Sequence, residues 1–151
     1  MMRLDQEQIR EMLAAAEERG EAVDLRGLNL SGMGLFGANL EGANLAQVDA
    51  SSIILTRAGL RRACLSDANL SQASLSEADL READLSGANL FQASLYKADL
   101  RDADLRNTSL QGADLFKADL RGANFRGARY DSFTRWPLDF DPHERSRGGT
   151  R

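Results

Sequence analysis

A chain of 151 residues, 42% of them hydrophobic, is long enough for one domain with a continuous core and too short to expect two. Its formal charge of -4, with acidic and basic residues alternating along the chain, argues against a polyelectrolyte partner. One cysteine, Cys64, and one histidine, His143, exclude an internal disulfide and any histidine-based triad, metal cluster or proton shuttle built within one chain.

Residues 1–22 read as an N-terminal cap. Asp5 and Gln8 are spaced as a capping box, Leu4 and Ile9 as a hydrophobic staple, and Ile9, Met12, Leu13 and Ala16 form an apolar stripe ending near Gly20. This spacing predicts an amphipathic helix over about residues 6–19, lying across the open end of the segment that begins at Val23. The opening MMRLDQEQIR lacks the apolar run of a signal peptide or membrane anchor, so a soluble, cytoplasmic chain with no membrane partner is expected.

From residue 23 to 132 the chain repeats every five residues. Stepping by five from Leu25 to Tyr130 gives 22 centres, of which 19 are leucine; Ala50, Phe125 and Tyr130 are the exceptions. Two residues before each centre stands alanine in 16 of the 22 cases, with Val23, Leu28, Met33, Val48, Ile53 and Thr108 in the others. A period of five fits neither a helix nor a flat strand, so the backbone turns a corner at each repeat. If four pentapeptides close a square coil of twenty residues, alanine and leucine share the interior and each coil touches only its neighbours, as in a β-solenoid. Asp or Asn usually precedes the centre and Gly often stands two residues after it. Both suit tight corners, the first by bonding local backbone and the second by tolerating positive φ.

The repeats ADLRE, ADLSG, ANLFQ, ADLRD, ADLFK and ADLRG resemble the A(D/N)LXX consensus of the pentapeptide-repeat family. The resemblance implies an all-β solenoid, a right-handed quadrilateral β-helix, here of about five and a half coils with the N-terminal helix as its cap. It also implies a choice of roles. Most relatives have no assigned activity, whereas a minority bind DNA gyrase, mimic duplex DNA and confer quinolone resistance or toxin immunity.

Residues 133–142 are expected to close the other end of the rod, with Tyr130, Phe133, Trp136, Leu138 and Phe140 gathered around proline. Residues 143–151 are polar and are expected to be a disordered tail.

Folding the sequence at a period of twenty assigns the exposed residues to columns. One side carries Arg61, Arg81, Arg101 and Arg121 beside Asp79, Asp99 and Asp119, an ion-pair ladder in which opposite columns relieve like-charge repulsion. Between Val23 and Ser132 there are 14 acidic and 12 basic residues. Over a rod of about 26 Å, duplex DNA would present about 15 negative charges, so DNA mimicry of a topoisomerase remains only the alternative reading. No side collects a basic stripe interleaved with aromatics, and direct nucleic-acid binding is not expected. The six-residue period and histidine chemistry of hexapeptide-repeat acyltransferases are missing, and a convex rod offers carboxylates no desolvated cleft. No catalytic residue, metal, cofactor or small-molecule substrate is therefore expected. Cys64 points outward near Arg61 and Arg62 and reads as a small surface residue rather than a reactive thiol.

The reading is a non-enzymatic structural or protein-interaction module with an unidentified protein partner and a possible homodimer. Its candidate interaction surface comprises Phe36, Phe91, Tyr96 and Phe116. Phe36, Tyr96 and Phe116 share a column, but only Tyr96 and Phe116 are one coil apart; Phe91 lies on the neighbouring side. The pair is either a stack that stiffens two coils or a patch for a partner.

Overall fold

The computed structural model describes residues 1–145. Its element order is α1 (Gln6–Arg19) and α2 (Pro142–Arg145), and between them the chain is held by isolated parallel bridges. These link Asp24 to Asn44, Asn44 to Cys64, Cys64 to Asp84 and so on, with equivalent ladders on the three other sides. Every repeat bridge up to Ser109–Arg129 joins residues twenty apart, the register expected of a four-sided coil. The expected all-β character needs refinement, because among the described residues no continuous strand forms. Each side is one bridging residue wide, and the next residues already turn.

One pentapeptide shows how the backbone is satisfied. Ala83 N–H donates to Leu80 O across a turn at 3.1 Å, Asp84 N–H to Ala63 O in the preceding coil at 3.0 Å, and Leu85 N–H to Asp104 O in the following coil at 2.8 Å. Gly87 N–H donates to Arg106 O at 2.8 Å. The remaining donor, Ser86 N–H, faces outward and has no coil opposite it; the Asp84 carboxylate accepts it at 2.9 Å. The same bond from the residue after the centre to the Asp or Asn before it recurs on all four sides, as at Arg26, Glu41, Ser71 and Phe116. Short polar side chains occupy this position because nothing else supplies that acceptor.

The corners have the pattern of type II turns, with an i+3 to i hydrogen bond and positive φ only at the second corner residue. That conformation occurs two residues after every centre from Leu25 to Phe125, at Gly27 and Gly122 but also at thirteen non-glycine residues such as Ser52 and Gln72. Left-handed backbone costs an L residue about 1 kcal/mol or more, so the coil-to-coil bonds and the buried core hold these corners against their own preference.

The core is the expected one. Centre leucines from Leu25 to Leu120 and the alanines two residues earlier are buried, except Ala38, which is half-buried, and Val48, Ala50 and Ile53 are buried together where the leucine is missing. Thr108 is buried without penalty because its hydroxyl donates to Leu105 O at 2.8 Å.

The N-terminal cap agrees closely with the sequence. Asp5 and Gln8 form the capping box, Gly20 ends α1 in a left-handed conformation, and Ile9 and Ala16 are buried. The segment before and at the start of the helix also covers the open edge of the first coil. Met2 O accepts Asn29 N–H at 2.8 Å, Gln6 Nε2 donates to Gly34 O at 2.6 Å, and Gly34 N–H donates to Gln6 Oε1 at 3.2 Å. A side-chain amide thereby stands in for a missing strand.

At the C-terminus the register slips by one: Asp114 bridges Arg135, and the Asp131 carboxylate accepts the Gly112 N–H at 3.1 Å. Phe125, Tyr130, Trp136 and Phe140 form the closing cluster, with Trp136 and Phe140 stacked at 5.0 Å. The expected cap is corrected in two places, since Phe133 is 77% and Leu138 88% exposed. Both fall in the turns of this segment, where the one-residue slip directs them outward. Pro142–Arg145 is a helical turn, and Tyr130 Oη lies 3.2 Å from His143 Nδ1, so regular structure reaches past the expected start of the tail at 143. The rest of that tail, 146–151, lies outside the described residues.

Candidate interaction face

The four sides of the coil differ in charge and polarity. The side of Leu30 and its column is lined mainly by Asn, Ser and Gln, with Phe91 among them; Asn69 Nδ2 donates to Asp49 and Asn89 Nδ2 to Asn69. The opposite side carries the expected ion-pair ladder. Arg81 and Arg101 each pair with the aspartate two residues before and reach the next coil's aspartate, Asp99 or Asp119, at 3.7 Å. Arg61 departs from the pattern because Gly59 leaves it no aspartate, and it joins Arg62 on Glu82. Hydrogen bonds from the paired arginines hold the carboxyls of Asp79, Asp99 and Asp119 below their ordinary range, with burial opposing them. These arginines are engaged with carboxylates, which favours the ladder over a ligand-binding row. Cys64 is half-buried, its Sγ 3.3 Å from Ser66 Oγ.

The side of Leu35, Leu55, Leu75, Leu95 and Leu115 carries the aromatics. Tyr96 and Phe116 are stacked, their centroids 6.4 Å apart and planes 26° from parallel. The structure brings together only these two of the four candidates. Phe36 is 61% exposed, with the Arg57 guanidinium 5.9 Å from its ring centre, and Phe91 is 43% exposed on the adjoining side. What the sequence did not show is the position of the cations. Lys97 Nζ lies 5.4 Å from the Tyr96 ring centre; Lys117 Nζ is 5.9 Å from Tyr96 and 5.8 Å from Phe116. Arg135 is 4.8 Å from the Phe116 centre, carried there by the slipped register. In the sequence these residues belong to other columns, and only the corner geometry bends them over the rings.

Charge also separates this side from the rest. It holds Arg57, Lys97, Lys117 and Arg135 against Glu77 and Asp114, whereas the Arg–Asp side holds five basic residues against Glu41, Glu82, Asp102 and its three ladder aspartates. Among the described residues no group of three or more His, Cys, Asp or Glu is placed to hold a metal ion, and no helix is long and apolar enough to cross a membrane.

A family model described as pentapeptide repeats matches in eight copies, over residues 21–49, 35–72, 68–107 and 93–129. The chain belongs to the pentapeptide-repeat family. It is thus a β-helical repeat protein of a family whose members are generally non-enzymatic. Among solved structures, it is similar to the pentapeptide-repeat protein HetL of the cyanobacterium Nostoc sp. strain PCC 7120, which is involved in heterocyst differentiation regulation. The identity is 39% over 72% of this chain and 56% of that one, with a TM-score of 0.54. It is also similar to alr5209 of Nostoc PCC 7120, at 29% identity over 96% of this chain and 94% of that one, with a TM-score of 0.52. The plasmid-mediated fluoroquinolone resistance protein QnrB1 matches at 16% identity over 75% of this chain and 67% of that one, with a TM-score of 0.32. That likeness is too weak to carry a functional argument. The chain spans only 56% of the length of HetL. No curated protein matches the chain.

Proposed function

We propose that this pentapeptide-repeat chain is a non-enzymatic, cytoplasmic protein-interaction module, a β-helix of about five and a half right-handed coils whose sides serve as rigid docking faces. The observation that carries this reading is the Tyr96–Phe116 side, where two half-buried, stacked rings lie beneath the exposed lysines Lys97 and Lys117, which no carboxylate of the described residues pairs. The regulatory role of HetL, a relative at 39% identity, agrees with a binding task. Most backbone groups are hydrogen-bonded within the coils and the other sides are mainly polar or internally ion-paired, so the aromatic side is where a partner gains most from desolvation.

The test is affinity capture with the full chain and with a Tyr96→Ser/Phe116→Ser variant of unchanged melting curve. A protein retained by the first and lost by the second is the expected result. Retention indifferent to these substitutions, or a measurable turnover of hydrolase or transferase substrates, overturns the reading. A gyrase supercoiling assay separates the topoisomerase alternative, for which the balanced charge predicts no inhibition.

A further inference from the structure

Two cations of the aromatic side have no carboxylate partner among the described residues. Arg57 lies 3.4 Å from Glu77 and Arg135 3.0 Å from Asp114, but Lys97 and Lys117 make no ion pair there, and their ammonium groups lie over the Tyr96 and Phe116 rings. Lys97 and Lys117 hold the same corner position of successive coils, about 4.8 Å apart along the rod, and both ammonium groups lie within 5.9 Å of the Tyr96 ring centre. The half-buried Tyr96 and Phe116 flank these groups with apolar surface.

We propose that the Lys97–Lys117–Tyr96–Phe116 cluster docks an acidic, partly apolar protein segment, whose carboxylate bridges the two lysines while a neighbouring apolar side chain covers the ring edges. This rests on the interaction reading above and names the chemistry of its partner. Charge complementarity selects the occupant. A second copy docked face to face would set Lys97 and Lys117 against their own counterparts, which costs rather than gains. A single-stranded nucleic acid needs free aromatic faces for its bases, and here ammonium and guanidinium groups already lie against Tyr96 and Phe116. The net charge of -4 also repels a polyphosphate chain as a whole, while a short acidic segment meets only the local excess of cations.

The experiment is fluorescence anisotropy of a labelled peptide SELELES with the full chain, beside the basic control SKLKLKS and a thymidine decamer. The expected result is saturable binding of SELELES alone, weakened about tenfold when salt rises from about 50 to about 500 mM. Lys97→Gln/Lys117→Gln, which leaves the rings and the core intact, is expected to weaken SELELES by about tenfold or more without moving the melting curve. Tyr96→Ser/Phe116→Ser serves as the second variant, with the same loss expected. The proposal is overturned by decamer binding as tight as that of SELELES, by SELELES binding indifferent to both lysines, or by no binding at all. If SELELES fails while capture of a protein still depends on Tyr96 and Phe116, the acidic partner is wrong and the interaction reading stands. If capture is also indifferent to the face, both fall.

Discussion

At the scale of the residue, two positions explain why this sequence can turn every five residues, the first of them filled by Asp or Asn in most pentapeptides. The Asp or Asn before the centre accepts the one N–H that no coil can reach, as Asp84 does for Ser86. The second corner residue is left-handed whether or not it is glycine, and Ser52, with φ of 56°, illustrates the cost. Its side chain is exposed, so Ser52→Gly removes strain and little else. The gain is offset in part by the greater freedom of glycine in the unfolded chain, and a rise in stability of up to about 1 kcal/mol is expected in thermal or denaturant melting. The reverse change is unfavourable at Gly122, whose φ of 76° an L residue adopts at a cost and where a Cβ would also push the Asp102 carboxylate aside.

At the scale of the element, a side of the coil is too short to be stable alone, and its strength comes from packing and from its neighbours. Leu85 has no exposed surface, and Leu85→Ala is expected to cost about 2–5 kcal/mol in denaturant unfolding, because a square interior filled by stacked leucines has little room to collapse. An unchanged melting curve would contradict its inward position. The capping helix contributes differently. Gln6 closes the first coil with a reciprocal pair of bonds to Gly34, so Gln6→Ala is expected to cost about 1 kcal/mol. Hydrogen exchange at the Gly34 amide should accelerate before that of mid-rod amides; equal protection in both proteins would show that the side chain does not guard the edge.

At the scale of the whole molecule, the charged side links stability to acid. The carboxyls of Asp79, Asp99 and Asp119 titrate lower when folded than when unfolded, chiefly through hydrogen bonds from Arg81, Arg101 and Arg121. Their contribution is therefore present above the unfolded value of about 4 and is lost as pH falls through the lower folded value. Changing all three to Asn keeps an oxygen for the corner N–H and removes the charge. The variant is expected to lose about 1 kcal/mol at pH 7, since these pairs remain partly exposed, and to show a flatter decline of melting temperature below about pH 4. A parallel decline in both proteins would remove the ladder as the source of acid sensitivity.

Spacing along the chain was enough to set the period, the inward leucines and alanines, the capping box of α1, the alternating ladder and the pairing of Tyr96 with Phe116, because in a coil of fixed length a column is a matter of counting. Other features depended on the folded coil. Non-glycine residues accept left-handed corners because contacts on both flanking coils outweigh a local preference, which composition cannot report. The slip that turns Phe133 and Leu138 outward arises where the last coil meets its cap, beyond the reach of the repeat. Likewise the lysines over Tyr96 and Phe116 owe their position to the direction of long side chains at a corner. A single column of sequence holds the rings, but only the folded corner decides which charges stand over them.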